Sequence, residues 1–153
     1  MQKIIQKKIY PVRNNKISNG IYRILDANGN RTKEALRVCE DIARFILNDP
    51  VSTLAYKNIR HRMGHIYKKV GILSKEAIAA RSVGKDVGRT TTTMELHRKE
   101  AKDVFYANSQ RMKESVRVLE EFAKLLNKDS AVDLKKIRYR IYAVEQVIIK
   151  NWK

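Results

Sequence analysis

The sequence has few of the residues that interrupt or cross-link a chain. Only six of its 153 residues are glycine, two are proline and one, Cys39, is cysteine. Scarce glycine and proline favour long regular elements over many tight turns. A single cysteine excludes a disulfide within the chain and fits the reducing conditions of the cytoplasm.

Long hydrophobic runs are absent as well. No apolar stretch approaches the roughly 20 residues of a membrane-spanning helix, and the first residues, MQKIIQKKIYPVRNNK, lack the apolar segment and cleavage site of a signal peptide. We therefore expect a cytoplasmic protein with no membrane partner. Because 43% of the residues are hydrophobic, the chain can form one domain with its own core.

Acidic residues are scarce beside basic ones. The chain has 16 aspartates and glutamates against 33 lysines and arginines, a formal charge of +17. Such a balance attracts anions, including nucleic acids, anionic lipids and small phosphorylated ligands. A solvated basic surface without any site would have the same composition, so the charge indicates a class of partner and does not locate a site.

One phrase occurs twice. The segment DANGNRTKEALRVCED begins at Asp26, and YANSQRMKESVRVLEE begins 80 positions later, at Tyr106. A repeat kept for packing alone would keep its apolar residues, whereas this one also keeps its polar ones. The matched pairs include Asn28 with Asn108, Arg31 with Arg111, Lys33 with Lys113, Glu34 with Glu114, Arg37 with Arg117 and Glu40 with Glu120.

Hydrophobic periodicity predicts four long helices. NIRHRM, from Asn58, also matches KIRYRI, from Lys136, so each half of the chain has the pattern of one helical hairpin. Two hairpins can cover each other's apolar faces, which predicts an all-α four-helix bundle with approximate two-fold symmetry. The predicted organisation is an N-terminal arm (1–18) and one helical domain (19–153) that contains repeat one (19–72), a loop (73–93) and repeat two (94–150).

Local patterns mark the helix ends. Gly71 is expected to end the second helix, because glycine readily adopts the left-handed conformation that follows many helices. The predicted helices span 19–48, 50–70, 94–127 and 131–150, with predicted caps at Ser18, at Asp49 followed by Pro50, and at Thr92 with Glu95.

The repeated polar residues fall close to the apolar stripe of their helices. With about 100° per residue, Asn108 lies on the stripe and Arg111 about 60° from it, and the same holds for Asn28 and Arg31. An unpaired buried polar group costs about 1–3 kcal/mol, so we expect a polar site between the first and third helices. The alternative is a packing network, in which Arg31 pairs with Glu34 and the asparagines bond to each other.

The segment RSVGKDVGRTTTT, from Arg81 to Thr93, combines arginines, glycines and threonines. Free N–H groups and hydroxyls at a helix start can bind phosphate, so we expect a mobile flap over the site, although a plain connector would have the same composition. His61 and His65 have the i, i+4 spacing of a metal pair, but the sequence offers no third ligand nearby.

The segment RILDANGNRTKEALRVCEDIARF, from Arg23, resembles the opening signature of a small all-helical family that is often fused ahead of thiamine-phosphate synthase. The similarity continues through RHRM, RSVGKDVG, DVFYANSQRMKESVRVLEEFAKLL and IRYRIYAVE. Members of that family act as a hydroxymethylpyrimidine phosphate (HMP-P) kinase in thiamine biosynthesis. Gly29, where a leucine-like residue is expected, and Arg89, where a threonine is expected, depart from the family pattern.

The resemblance implies a phosphotransferase that moves the γ-phosphoryl group of ATP onto HMP-P and gives the diphosphate. Because the acceptor is already anionic, the enzyme must chiefly hold two polyanions together and stabilise a loose transition state. The implied cofactors are ATP and Mg²⁺. The implied partners are a small phosphorylated pyrimidine, a nucleotide and thiamine-phosphate synthase. The phrase would then occur twice because the reaction joins two phosphate-bearing ligands.

Residue roles follow from side-chain chemistry, since arginines bind phosphates and carboxylates bind Mg²⁺. The predicted catalytic residues are Arg31, Arg111, Glu34 and Glu114, and the predicted magnesium ligands are Glu34, Glu114 and Asp86. The predicted substrate- or phosphate-binding residues are Asn28, Asn108, Arg37, Arg117, Arg81, Asp86, Thr90, Thr91 and Arg98.

Two functions of other classes stay open. A basic helical bundle can bind nucleic acid through arginines that face outward, although the inward position predicted for Arg31 and Arg111 argues against this function. A non-catalytic bundle that only binds other proteins would show no nucleotide-dependent thermal shift.

Overall fold

The computed structural model describes residues 15–85 and 97–152. These two ranges contain helices and turns and no strand, so the predicted all-α fold is confirmed. None of the helices within them is long and apolar enough to cross a membrane. The helices are α1 (Asn15–Asp41), α2 (Pro50–Val70), α3 (Lys75–Ala79), α4 (Ala101–Ala123) and α5 (Lys128–Asn151), with a π-helical turn at Ile42–Ile46 and a 3₁₀ turn at Val83–Lys85.

Helix α2 is bounded by the residues that the sequence predicts. The Asp49 carboxylate accepts hydrogen bonds from the backbone N–H groups of Val51 at 2.9 Å and Ser52 at 3.1 Å. Pro50 is the first helical residue, where its missing N–H has no intrahelical partner to lose. Gly71 follows the helix with a φ of 73°, a left-handed conformation that glycine adopts without strain.

Helices α1 and α5 both begin earlier than predicted. Helix α1 begins at Asn15, so Ser18 lies inside it and not at its start. Helix α5 begins at Lys128 because the side-chain oxygen of Asn127 accepts a hydrogen bond from the backbone N–H of Ser130 at 3.0 Å. Asparagine is among the strongest N-capping residues, and its position fixes this helix start.

Helix α4 begins at Ala101, later than the predicted start at 94. The carboxylate of Asp103, in its first turn, accepts a hydrogen bond from the backbone N–H of Lys99 at 2.9 Å. This contact satisfies a donor just before the helix and places negative charge near its positive end. The predicted capping pair, Thr92 with Glu95, lies outside the described residues.

The four long helices form a closed ring around one core. Helix α1 packs against α2 and α4, and α5 packs against α4 and α2. Helices α1 and α4 meet at Thr32 and Ser115, whose buried hydroxyl oxygens are 2.7 Å apart. The aliphatic and aromatic side chains of the core come from all four helices.

The two hairpins repeat each other's contacts, as the sequence predicts. In each hairpin the repeated asparagine donates its side-chain N–H to the carbonyl oxygen four residues earlier, at 2.9 Å from Asn28 and 2.8 Å from Asn108. An ion pair also recurs between the two helices of each hairpin, with 2.9 Å from arginine Nε to carboxylate oxygen. The two pairs are Glu40–Arg60 and Glu120–Arg138.

Candidate functional site

One concavity among the described residues lies between α1 and the segment that follows α3. We call it the first cleft, and its volume is about 680 Å³. Ile24, Ala27 and Val83 supply apolar wall. The polar side chains that line it are Arg23, Asp26, Asn28, Asn30, Arg31, Arg81 and Ser82.

An ion pair joins the two sides of the first cleft. Arg81 donates from Nε to one oxygen of Asp26 at 2.6 Å and from Nη2 to the other at 2.7 Å. The Asp26 side chain is buried, and its hydrogen bonds and charge raise the pKa of the Arg81 guanidinium. Such a bidentate pair fixes direction as well as distance, so it holds the segment after α3 against α1.

The amide of Asn28 has a fixed orientation in the first cleft. Its nitrogen donates to the carbonyl oxygen of Ile24 at 2.9 Å, and its oxygen lies 3.4 Å from Nη1 of Arg31. The residue is only 7% exposed. Asn108 likewise bonds to its own helix, so the alternative in which the two asparagines bond to each other across the bundle is wrong.

The prediction that Arg31 and Arg111 turn toward the core is wrong, because both residues are exposed. A helical wheel gives the direction of Cβ, and a long side chain that starts near the edge of an apolar stripe can extend to the surface. Arg31 still lines the first cleft, whereas Arg111 lines neither concavity described here.

A smaller concavity, the second recess, lies on the second hairpin and has a volume of about 380 Å³. Its lining includes Lys113, Glu114, Arg117 and Tyr142. Glu114 accepts a hydrogen bond from the side chain of Gln110 at 2.7 Å. Asn28 and Arg31 of the first repeat therefore line one concavity, and Glu114 and Arg117 of the second repeat line another. The single site between the first and third helices stays a prediction.

Arg37 and Arg117 contact buried carboxylates of their own helices. Arg117 lies 2.9 Å from Glu120, and Arg37 lies 3.6 Å from Glu40. The sequence reasoning missed these glutamates as partners, and it missed the arginines of α2 and α5 that complete each ion pair. The repeat could have indicated these pairs, because a glutamate follows each arginine at i+3 and lies on the same helix face.

The profile of the ThiD2 family matches residues 23–147 of the sequence. The chain belongs to the ThiD2 family. The family resemblance predicted from the sequence is thereby confirmed, and the relatives named below connect this ThiD2 chain with thiamine biosynthesis.

Three relatives of this ThiD2 chain are thiamine-phosphate synthases. That of Prochlorococcus marinus is 38% identical over 125 residues, which cover 82% of this chain and 34% of the relative. That of Nostoc punctiforme is 37% identical over 126 residues, with 82% and 34% covered, and that of Rhodopirellula baltica is 36% identical over 127 residues, with 82% and 33% covered. The chain thus spans about a third of the length of these relatives. No solved structure matches the chain significantly.

Gly29 lies at a close approach between α1 and the end of α2. A Cβ atom at this position would lie 3.1 Å from Cγ2 of Ile72, closer than ordinary van der Waals contact. The hydroxyl of Tyr67 also donates to the carbonyl oxygen of Gly29 at 3.0 Å. The absence of a side chain lets α1 approach the end of α2 closely.

In the second hairpin, the residue that corresponds to Tyr67 is charged rather than neutral. Glu145 stands where Tyr67 stands in the first hairpin, and it accepts from Ser109 at 2.8 Å and from Lys113 at 2.8 and 2.9 Å. In the first hairpin, Nζ of Lys33 instead lies 5.0 Å from the centre of the Tyr67 ring. The two halves of this ThiD2 chain are therefore similar in backbone and different in polar chemistry.

The remaining predicted site residues lie elsewhere. Glu34 is exposed on α1, and Arg98 is exposed before α4, where it donates to the carbonyl oxygen of His97 at 2.7 Å. Within residues 15–85 and 97–152, no three His, Cys, Asp or Glu side chains converge on a metal position, and this includes His61 and His65. The predicted residues Asp86, Thr90 and Thr91, and most of the predicted flap, lie outside the described residues.

Proposed function

We propose that this ThiD2 chain transfers the γ-phosphoryl group of ATP to HMP-P in the cytoplasm and produces HMP diphosphate. The bond between the γ-phosphorus and its bridging oxygen breaks, a bond from the γ-phosphorus to an oxygen of the acceptor phosphate forms, and ADP leaves. The observation that carries the proposal is the first cleft, where three arginines and two asparagines line one concavity.

The first cleft suits a small phosphorylated ligand in size and charge. Small-molecule sites commonly have volumes of about 300–1,000 Å³, and this cleft falls within that range. Arg23 and Arg31 are exposed on its wall, where their guanidinium groups can bind phosphate oxygens in bidentate geometry. Such contacts screen the repulsion between two polyanions, the main barrier when the acceptor is itself a phosphate.

The described residues do not form a ligand set for Mg²⁺ in the first cleft. Among them Asp26 is the one acidic residue of its lining, and both its oxygens accept from Arg81. We therefore propose that Mg²⁺ enters with ATP on the nucleotide phosphates, as is common for this ion. The contribution of the predicted ligands Glu34, Glu114 and Asp86 stays a prediction.

The direct test is to incubate the purified chain with ATP, Mg²⁺ and chemically synthesised HMP-P and to follow ADP and HMP diphosphate by ion-exchange chromatography. We expect both products in equal amounts. ADP without HMP diphosphate would indicate ATP hydrolysis, and absence of both products would overturn the proposed function. A reaction without HMP-P is the control for contaminating ATPase.

One observation favours nucleic-acid binding as a second function. Arg31 and Arg111 face outward, as a surface that binds backbone phosphates requires, and the chain carries a net charge of +17. An electrophoretic mobility shift at increasing salt distinguishes the two functions. Binding of RNA or DNA at nanomolar protein and physiological salt would support this second function, whereas weak binding that disappears with salt would reflect net charge alone.

An association with thiamine-phosphate synthase is a further proposal, since the match covers only about a third of the length of relatives with that name. A synthase would use the product of the proposed reaction. Co-purification of this chain with a separately expressed synthase domain measures the association.

A further inference from the structure

The side-chain oxygen of Asn28 is available to a ligand in a way that its nitrogen is not. A carbonyl oxygen can only accept hydrogen bonds, so the atom 2.9 Å from the carbonyl of Ile24 must be the amide nitrogen. The amide oxygen is thereby directed away from the helix backbone. The side chain lines the first cleft although the residue is 7% exposed, so the cleft is where the oxygen can meet a partner.

An amide oxygen in this position does not suit phosphate. Phosphate oxygens at neutral pH are acceptors, and two acceptors repel each other unless a proton lies between them. The oxygen instead requires a donor such as an amine. The distance of 3.4 Å from Arg31 Nη1 exceeds the usual 2.7–3.2 Å, so this contact leaves the oxygen able to accept a stronger hydrogen bond.

Asn28 and Arg31 together present an acceptor beside a donor. The oxygen of Asn28 accepts, and the N–H groups of Arg31, close to it, donate. This order is complementary to an aromatic ring that carries an exocyclic amine next to an unprotonated ring nitrogen. Ile24, Ala27 and Val83 provide apolar surface in the same cleft for the faces of such a ring.

We infer that the first cleft recognises a 4-aminopyrimidine edge, with the exocyclic amine donating to Asn28 and the ring nitrogen accepting from Arg31. The inference rests on the proposed function, because both ligands of that reaction carry this edge. The pyrimidine of HMP-P has it, and the six-membered ring of adenine in ATP has it as well. The geometry of the cleft fits the edge that the two ligands share, and the experiment below determines which of the two ligands binds there.

The first experiment compares ligands that differ only in the amine. Calorimetric titration of the wild-type chain uses HMP-P against its analogue with hydrogen in place of the amine, and AMP against purine riboside monophosphate. We expect binding to weaken by about 10–100-fold in one of the two pairs, the effect of removing a hydrogen bond from a polar site. If neither deaminated ligand binds more weakly, the inference is overturned.

The second experiment uses the internal repeat as its control. Asn28→Leu removes the amide oxygen at similar volume, and Asn108→Leu removes the same helix bond at the equivalent position outside the cleft. We expect Asn28→Leu to abolish the discrimination between amine and deaminated ligand, and Asn108→Leu to retain it. Loss of discrimination in Asn108→Leu alone would overturn the assignment to the first cleft. If Asn28→Leu does not fold, as judged by thermal denaturation, the wild-type comparison alone decides.

Failure of the inference and failure of the proposed function give different results. Amine-dependent binding without phosphoryl transfer would support the inference and refute the kinase. Phosphoryl transfer at equal kcat/KM for HMP-P and its deaminated analogue, and for ATP and purine riboside triphosphate, would support the kinase and refute the inference.

Discussion

Among single residues, Asp26 and Asn28 show how one helix serves both packing and binding. Asp26 uses both carboxylate oxygens to hold Arg81, so it shapes the first cleft without offering a free acceptor. The amide nitrogen of Asn28 donates to the helix backbone, and its amide oxygen is available to a ligand in the cleft. Neither contact follows from residue type alone, because each depends on which partner the fold brings near.

The first prediction compares two arginines at equivalent positions of the repeats. Arg31 lines the first cleft and Arg111 does not, so we expect Arg31→Met to lower kcat/KM for HMP-P by about 10–100-fold, the effect of removing a hydrogen bond from a polar site. We expect the loss for Arg111→Met to be at least about tenfold smaller. Steady-state kinetics on folded protein measures both. Equal losses would show that the second hairpin contributes as much as the first.

The second prediction concerns Cys39, which is fully buried in the core. Burial, with a smaller contribution from the charge of Glu145, raises the pKa of its thiol to about 12. Because the thiolate is the reactive form, we expect no modification by a coloured disulfide reagent at pH 8 in the folded protein and one equivalent after denaturation. Rapid reaction of the folded protein would show that this part of the core opens readily.

At the scale of elements, one glycine within α2 and another directly after it have opposite structural roles. Gly64 lies in the middle of the helix, and a Cβ atom there would meet no atom within 4 Å. Gly71 ends the helix with a positive φ that other residues rarely adopt. The same substitution should therefore have opposite effects at the two positions.

The third prediction is that Gly64→Ala raises the free energy of unfolding and Gly71→Ala lowers it, each by about 1 kcal/mol. The first gains helix propensity without a clash, and the second forces a side chain into the left-handed region. For a chain of this size we expect shifts in Tm of about 2–4 °C in opposite directions. Reversible thermal denaturation with circular dichroism is the measurement, and shifts of the same sign would contradict it.

The sequence predicts elements well where the information is local. Asp49, Pro50 and Gly71 define α2 because caps act within a few residues of themselves. The start of α4 is harder. The cap predicted from Thr92 and Glu95 lies outside the described residues, and residues 97–100 come before the helix, which begins at Ala101.

The site is less predictable than the elements. Arg81 was a candidate from its composition, but its partner Asp26 is 55 positions away and belongs to no repeated pair. The outward position of Arg31 was missed because a helical wheel places Cβ and not the end of a long side chain. Contacts between distant segments depend on the three-dimensional fold. The sequence pattern predicts the number and pairing of the long helices but not these individual contacts.

At the scale of the whole molecule, the two-fold relation extends to buried charge. The carboxylates of Glu40 and Glu120 are 7% and 5% exposed, and each has an arginine from the other helix of its hairpin. A buried carboxylate that loses its partner destabilises a protein more than the intact pair stabilises it. Each hairpin therefore depends on its own pair.

The fourth prediction is that Arg60→Met and Arg138→Met each lower the free energy of unfolding by about 1–3 kcal/mol. The two pairs share no partner, so we expect the double variant to lose the sum of the two within about 0.5 kcal/mol. Urea denaturation at equilibrium measures all three variants. A double variant that loses clearly less than the sum would show that the hairpins are coupled through their charges.

The contact between the two hairpins has the form of the interface in a symmetric homodimer, because the same face of each hairpin meets its counterpart. A chain of half this length, paired with a second copy of itself, would have the same four-helix ring. Joining the copies into one chain removes the need for both halves to be identical. Gly29 with Tyr67, and Ser109 with Glu145, show such a difference: one half is neutral and closely packed here, and the other has a charged cluster that an assembly of identical chains would have to carry twice.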